Sequence, residues 1–215
     1  MRRRQSSARQ KNKLSYQVRI IGGQWKRSLL PVSEVPDLRP TPSRVRETLF
    51  NWLYTLFGGH WEAMDCLDLF AGTGAFGFEA ASRGTRQVTM VESHRAAFAQ
   101  LQATSDKLNA GSLVTLVQGD ALQTAQRLVA QKKQFDVIFL DPPFQAGTLP
   151  EILPFCADLL KDEGVVYVES STFLTEETVE NLSKNGRQWH IIRQDRAGHV
   201  CYHLLKLQYR DNLQA

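Results

Sequence analysis

The stretch FDVIFLDPPF, residues 135–144, ends an apolar run on a carboxylate, two prolines and an aromatic ring. Asp141 and the carbonyl of Pro142 are hydrogen-bond acceptors, and the rings of Pro142 and Pro143 restrict where they point. Phe144 adds a flat apolar face. Such a set suits an exocyclic amine on an aromatic base. The lone pair of that amine is delocalised into its ring, so it is a poor nucleophile. A site helps by holding the nitrogen in line and drawing its hydrogens onto fixed acceptors. Stacking on the ring contributes on the order of 1–3 kcal/mol, and orientation lowers a barrier by roughly 7–11 kcal/mol in favourable cases. No strong base is required beforehand, because the amine can lose its proton as or after the new bond forms.

A second chemical stretch is DLFAGTGAFG, residues 68–77. Gly72, Gly74 and Gly77 satisfy G-x-G-x-x-G where a strand pattern gives way to a helical one, which allows a ligand to approach backbone amides closely. Glu92 lies 20 residues past Gly72, where an acid can take both hydroxyls of a ribose. Gly119-Asp120-Ala121 follows a third strand-like run. The glycines alone fit a dinucleotide as well as S-adenosylmethionine. Acids decide between them: Asp68, Asp120 and Asp141 would repel a diphosphate but suit a sulfonium and an ammonium, and Asp120 can accept from an adenine amino group. The expected cofactor set is Asp68, Phe70, Ala71, Gly72, Thr73, Gly74, Glu92, Ser93, Asp120, Ala121 and Asp141. Each acid taken singly also suits a helix N-cap.

These residues converge only if the right elements carry them. Strand patterns cover residues 64–69, 87–91, 113–118, 135–140 and 164–169; helical patterns fall near 75–83, 94–108, 121–132 and 149–161. That alternation predicts an α/β fold, a doubly wound, mostly parallel sheet whose ligands bind beyond the carboxyl ends of the strands. A helix over 175–184 and two strands joined at Arg196-Ala197-Gly198 predict a C-terminal antiparallel hairpin. At the other end, YQVRII and residues 24–30 around Gly22-Gly23 read as a hairpin. Thr41-Pro42 reads as the cap and first residue of an amphipathic helix over 42–57.

At 215 residues, 42% of them apolar and 22% charged, the chain has the composition of a globular protein with one real core. No apolar run approaches the roughly 20 residues that cross a bilayer, and the basic N-terminus has no apolar segment behind it, so neither a membrane nor a secretory role is expected. Three scattered cysteines, Cys66, Cys156 and Cys201, read as reduced packing residues of a cytoplasmic protein, and the histidine spacing predicts no metal site. Charge is divided unevenly. Residues 1–46 hold 12 Lys and Arg against Glu34 and Asp37, whereas the remainder holds 14 against 20 acids. A basic face on an acidic body points to a polyanion, and Arg19, Lys26, Arg27, Arg39, Arg44 and Arg46 are the candidate phosphate contacts.

With RIIGGQW (19–25), RPTPSRVRETLFNWL (39–53), LDLFAGTGAFGFEAASRG (67–84), FLDPPF (139–144) and YVES (167–170) standing in this order, the chain resembles the RsmD family, bacterial 16S ribosomal RNA guanine-N2 methyltransferases. The resemblance runs from about residue 18 to residue 206. It implies a Rossmann-like Class I methyltransferase with a seven-stranded sheet completed by the last hairpin. It also implies S-adenosylmethionine held around Asp68, Gly72, Gly74, Glu92 and Asp120-Ala121, and a guanine held by Asp141 to Phe144. The expected organisation is a disordered basic tail (1–15), a small RNA-facing hairpin and helix (16–58), a methyltransferase domain (59–208) and a tail (209–215). The partner implied is 16S rRNA within a small-subunit particle, with no obligate protein partner. The chain departs from the family pattern at Lys26-Arg27-Ser28-Leu29 and at Gln145-Ala146. Methylation of an adenine or of a protein glutamine, dinucleotide redox chemistry, and RNA binding without catalysis are the competing readings.

Overall fold

The computed structural model describes residues 17–32, 41–143, 147–183 and 186–209; nearly all of the two expected tails lies outside them. The chain enters through a short antiparallel pair, β1 (Gln17–Arg19) and β2 (Leu29–Pro31), followed by α1 (Ser43–Leu56). Strands and helices then alternate: β3 (Asp65–Asp68), α2 (Ala75–Ser82), β4 (Gln87–Glu92), α3 (Arg95–Leu108), β5 (Val114–Gln118), α4 (Ala121–Ala130), β6 (Phe135–Leu140), α5 (Thr148–Leu159) and β7 (Leu160–Ser170). A short α6 (Glu176–Glu180) leads into the hairpin of β8 (Arg187–Ala197) and β9 (Val200–Tyr209). The sheet has seven strands in the order β5-β4-β3-β6-β7-β9-β8, with β9 antiparallel to both of its neighbours. The winding reverses between β3 and β6, which leaves a crevice at their carboxyl ends.

Strand β6 shows why the sheet is buried on both sides. Val137 and Phe139 join the core on one face with α1, α2 and α3, while Ile138 and Leu140 join the core on the other face with α4 and α5. Helix α1 belongs to that first core rather than to a satellite of it. Its Val45, Leu49, Phe50 and Leu53 are fully buried, each worth on the order of 1.5–3 kcal/mol, and the Phe50 ring lies 6.1 Å from that of Phe139.

The N-terminal segment is fastened through one side chain. Helix α2 is buried on all sides, and its Glu79 has no exposed surface. The Glu79 carboxylate accepts from the amides of Ile21 (2.7 Å) and Gly22 (2.9 Å) and from Arg83 Nε (2.8 Å). Arg46 Nη1 lies 3.8 Å from the same carboxylate and donates to the carbonyl of Arg19 at 2.9 Å. Next to it, Gly23 has φ 74°, and a β-carbon there would fall 1.8 Å from the Ser82 carbonyl oxygen, so the close approach requires glycine.

This anchorage corrects three expectations. Arg46, expected at a phosphate, is only 2% exposed and serves Glu79 and the backbone of Arg19. The return strand expected over 24–30 is confined to β2, because Gln24 and Trp25 donate their amides to Ser82 instead of to β1. Thr41 does not cap α1; Pro42 occupies that position without a side-chain bond, and the Thr41 hydroxyl turns to the sheet. Helix α6 is also shorter than the 175–184 expected, since Ser183 already turns back to β8, where its Oγ accepts from the Trp189 amide.

Glu79→Ala should lower the unfolding free energy by about 3–5 kcal/mol in urea titration, because it strands a buried arginine and two partly buried amides. A loss below about 1 kcal/mol would contradict this role for Glu79.

Candidate active site

Register decides which acids meet. Asp68 of β3 pairs with Met90 of β4 and with Phe139 of β6, and Phe139 pairs with Tyr167 of β7. Paired residues share a face, and side chains two apart along a strand share it too. Asp68, Glu92, Asp141 and Glu169 therefore all stand on the α1–α2 face at the carboxyl edge of the sheet. Leu140 pairs with Val168, which sets Asp141 beside Glu169.

The glycine loop sits over this edge. Ala71 donates its amide to Val91 (2.9 Å), Gly74 donates to Ala71 (2.6 Å), and Gly72 donates to Glu92 Oε2 at 2.8 Å. The other oxygen of Glu92 accepts from the His94 amide at 2.6 Å. Gly72 and Gly74 both adopt left-handed φ, 53° and 76°. Gly77 serves packing rather than a ligand: a β-carbon there would lie 2.2 Å from the Met90 sulfur. Ala71 and Thr73 are buried, Phe70 and Gly72 are half-buried, and Ser93 and Asp120 are exposed. Asp120 is the N-cap of α4, accepting from the Gln123 amide at 2.9 Å; it stands beyond β5 as Glu92 stands at the end of β4.

Electrostatically the edge is unusual. Asp68 is 1% exposed; its Oδ2 accepts from the Gly77 amide at 3.2 Å, and its Oδ1 has no hydrogen-bond partner among the described residues. Burial pushes its carboxyl up to about 7, against the opposing pull of the Phe70 and Gly77 amides. Burial likewise drives Asp141 well above the ordinary carboxylate range, and Glu169 and then Asp68 push it further. Glu169, 3% exposed, is raised by burial as well, with the hydroxyls of Thr41 and Tyr167 opposing. The amino edge of the sheet is the reverse case. There burial pushes Asp65 up, but Arg86 and Lys161 outweigh it and hold the group below its usual value. At the carboxyl edge no cation among the described residues offsets the acids in this way.

The Thr41 hydroxyl lies 2.8 Å from Glu169 Oε1 and 3.3 Å from Asp141 Oδ2, and the Tyr167 hydroxyl donates to the same Glu169 oxygen at 2.8 Å. Neither Thr41 nor Glu169 was in the expected site. Glu169 ends a predicted strand, so the strand-end rule that singled out Asp68, Glu92, Asp120 and Asp141 would have reached it; no sequence signal could have found Thr41. Pro142 is buried and Pro143 exposed, while Phe144 and Arg39 lie outside the described residues.

The remaining basic candidates separate in space. Arg44 is exposed one turn after Thr41, and its charge reaches Asp195 on the β8–β9 hairpin. Arg19 is exposed on β1. Lys26 and Arg27 are exposed in the turn next to Ser82, the far end of the eight-residue α2 from its glycine loop, about 12 Å away. No group of His, Cys, Asp and Glu among the described residues could hold a metal ion, and no described helix is long and apolar enough to cross a membrane. The three cysteines are buried thiols.

The residues present suit S-adenosylmethionine. The buried Asp68 oxygen without a partner among the described residues needs a donor or a cation, the loop over it presents glycines, and Glu92 ends β4 while Asp120 lies just beyond β5.

Comparison with known proteins agrees with this geometry. The family described as Conserved hypothetical protein 95 matches residues 18–206. The chain is 42% identical over 194 residues to Ribosomal RNA small subunit methyltransferase D of Escherichia coli, covering 88% of this chain and 90% of that protein. It is 34% identical over 190 residues to the protein of the same name from Haemophilus influenzae, covering 87% and 93%. The solved structure of yhhF from Escherichia coli superposes with a TM-score of 0.72 at 39% identity, covering 91% of this chain and all of that one.

An uncompensated buried carboxyl costs stability once it must ionise. Its pKa is raised from 3.8 to about 7, so its contribution is full below the lower value and is lost as pH rises through the higher one. Asp68→Asn should therefore stabilise the protein above pH 7, by on the order of 1–4 kcal/mol in chemical denaturation, with the gain shrinking toward pH 5. A gain that does not change with pH would contradict an ionising Asp68.

Proposed function

The chain belongs to the RsmD family of ribosomal RNA small subunit methyltransferases, and from that premise we propose that it methylates the exocyclic N2 amine of a guanine in 16S rRNA, with S-adenosylmethionine as the methyl donor. The observation that carries the reading is Asp141, held at the crevice beside Asp68 and Glu169 with its carboxyl aimed at the Thr41 hydroxyl. The encounter takes place in the cytoplasm on a small-subunit particle.

S-adenosylmethionine, when bound, supplies an electrophilic methyl group on a sulfonium whose sulfur keeps the electron pair of the broken bond. Asp68 and the Gly72–Gly74 loop offer the acidic, close-fitting floor for it; Glu92 accepts from ribose hydroxyls and Asp120 from the adenine amino group. Asp141 and the Pro142 carbonyl accept from the guanine amine and fix the direction of its lone pair. Phe144 gives the base a face to stack on. The guanine must be unpaired or flipped from its helix to enter.

In this reading residues 16–58 face the RNA and residues 59–208 carry the chemistry. Arg44, next to Thr41, holds a phosphate near the target. Arg19, exposed on β1, and Lys26 and Arg27, exposed in the turn beside Ser82, meet further phosphates, and Arg39 is the remaining candidate.

Labelled-methyl transfer to purified small-subunit particles, followed by nucleoside identification, should yield N2-methylguanosine in the rRNA. Asp141→Ala should lose about 10²–10³-fold in kcat, with a much smaller fall in S-adenosylmethionine affinity. Label in methyladenosine or in protein would overturn the substrate assignment. Reversing Arg19 and Arg44 to Glu should weaken rRNA binding and flatten the slope of log K against log salt by roughly 1.4–1.8, leaving S-adenosylmethionine affinity unchanged. An equal fall in cofactor affinity would show these arginines to be structural.

A further inference from the structure

Two carboxyls meet where the proposed reaction needs one. Asp141 ends β6 and Glu169 ends β7 in adjacent register, and a single hydroxyl, that of Thr41, lies between them at 3.3 and 2.8 Å. A hydroxyl has one hydrogen to donate, and its shorter contact is to Glu169. Tyr167 donates to the same Glu169 oxygen at 2.8 Å. Glu169 thus has two donors and Asp141 at most a share of one, so the pair is arranged to leave charge on Glu169 and a proton on Asp141.

We propose that Glu169 is a positioning residue for methyl transfer, which acts through Asp141 by fixing its carboxyl against Thr41 and by sharing with it the proton that leaves the methylated amine. The inference rests on Asp141 being the group that receives the amine. As the nitrogen lone pair forms the new carbon–nitrogen bond, one N–H bond breaks, its electrons stay on nitrogen, and the proton passes to an Asp141 oxygen. The receiving form is the pair with Asp141 ionised; afterwards Asp141 carries the proton beside the charged Glu169. Proximity to that charge makes the proton easier to accept than an isolated carboxylate would.

Among the described residues, the groups facing Asp141 are all acidic or neutral. Glu169 and Tyr167 come from β7, Asp68 from β3 with Glu92 of β4 behind it, Tyr202 from β9 through Tyr167, and Thr41 from the segment before α1. Arg46, the buried arginine of α1, is engaged with Glu79. Activity should therefore rise with pH as Asp141 loses its proton, and the position of that acidic limb is set by Glu169 and Thr41 in opposite directions.

The test is the pH profile of kcat for the full-length enzyme on small-subunit particles, with the wild type, Glu169→Gln, Thr41→Val and Asp141→Asn. Glu169→Gln removes a neighbouring negative charge, so the acidic limb should move to lower pH by about one unit or more, while kcat falls at least about tenfold and S-adenosylmethionine affinity changes little. Thr41→Val removes a donor, so the limb should move to higher pH. A readout without turnover is the infrared difference spectrum at neutral pH, in which Glu169→Gln should lose a protonated-carboxyl band. A limb that stays in place in both variants, or shifts the same way in both, overturns the role of Glu169. Full activity in Asp141→Asn would instead sink the reading of Asp141 itself.

Discussion

Asp68, Asp141 and Glu169 share one face of one sheet edge, the first and last buried and Asp141 half-buried, with no cation among the described residues to balance them. Carboxyls so close cannot all ionise, and burial penalises each that does. The edge is consequently short of positive charge at rest, and it favours whatever brings some. A ligand carrying a sulfonium and an ammonium is that kind of guest, and a diphosphate is its opposite. The amino edge of the same sheet shows the ordinary solution, with Asp65 and Asp136 paired to Lys161. A fold that satisfies its acids at one edge and leaves them unsatisfied at the other has its function at the second.

Holding that arrangement requires more than the sheet. Thr41 reaches Asp141 and Glu169 from the segment that precedes α1. That segment is located at one end by the buried face of α1 and at the other by Glu79, whose carboxylate takes up two backbone amides and Arg83. The N-terminal region accordingly plays two parts. Its inner side completes the core and supplies a hydroxyl to the acids, and its outer side carries the exposed arginines proposed to meet RNA.

Much of this was legible from residue pattern. Alternating strands and helices located β3 to β7 and their helices within a few residues, because parallel strands buried on both faces read as apolar runs. Strand ends then pointed to Asp68, Glu92, Asp120 and Asp141. What pattern could not give was side-chain partnership across long separations. Arg46 looked like one more basic residue on a helix, but its direction is decided by Glu79, 33 positions away. Thr41 had every local mark of a helix cap, yet its hydroxyl goes to residues 100 and 128 positions distant. Residues 24–28 had the spacing of a strand, but Gln24 and Trp25 are claimed by Ser82 at the end of α2, and the amides of residues 26–28 close a turn on Gly23, Ile20 and Trp25.

The claim beneath the account is that this acidic edge is built to receive a cation, and proton release on ligand binding tests it directly. Calorimetric titration with S-adenosylmethionine at about pH 6.5, below the value near 7 to which burial raises Asp68, should show an enthalpy that varies with the ionisation heat of the buffer. The slope should correspond to protons leaving the protein, as the cation draws Asp68 into its charged form. An enthalpy independent of buffer, or one reporting proton uptake, would contradict the account.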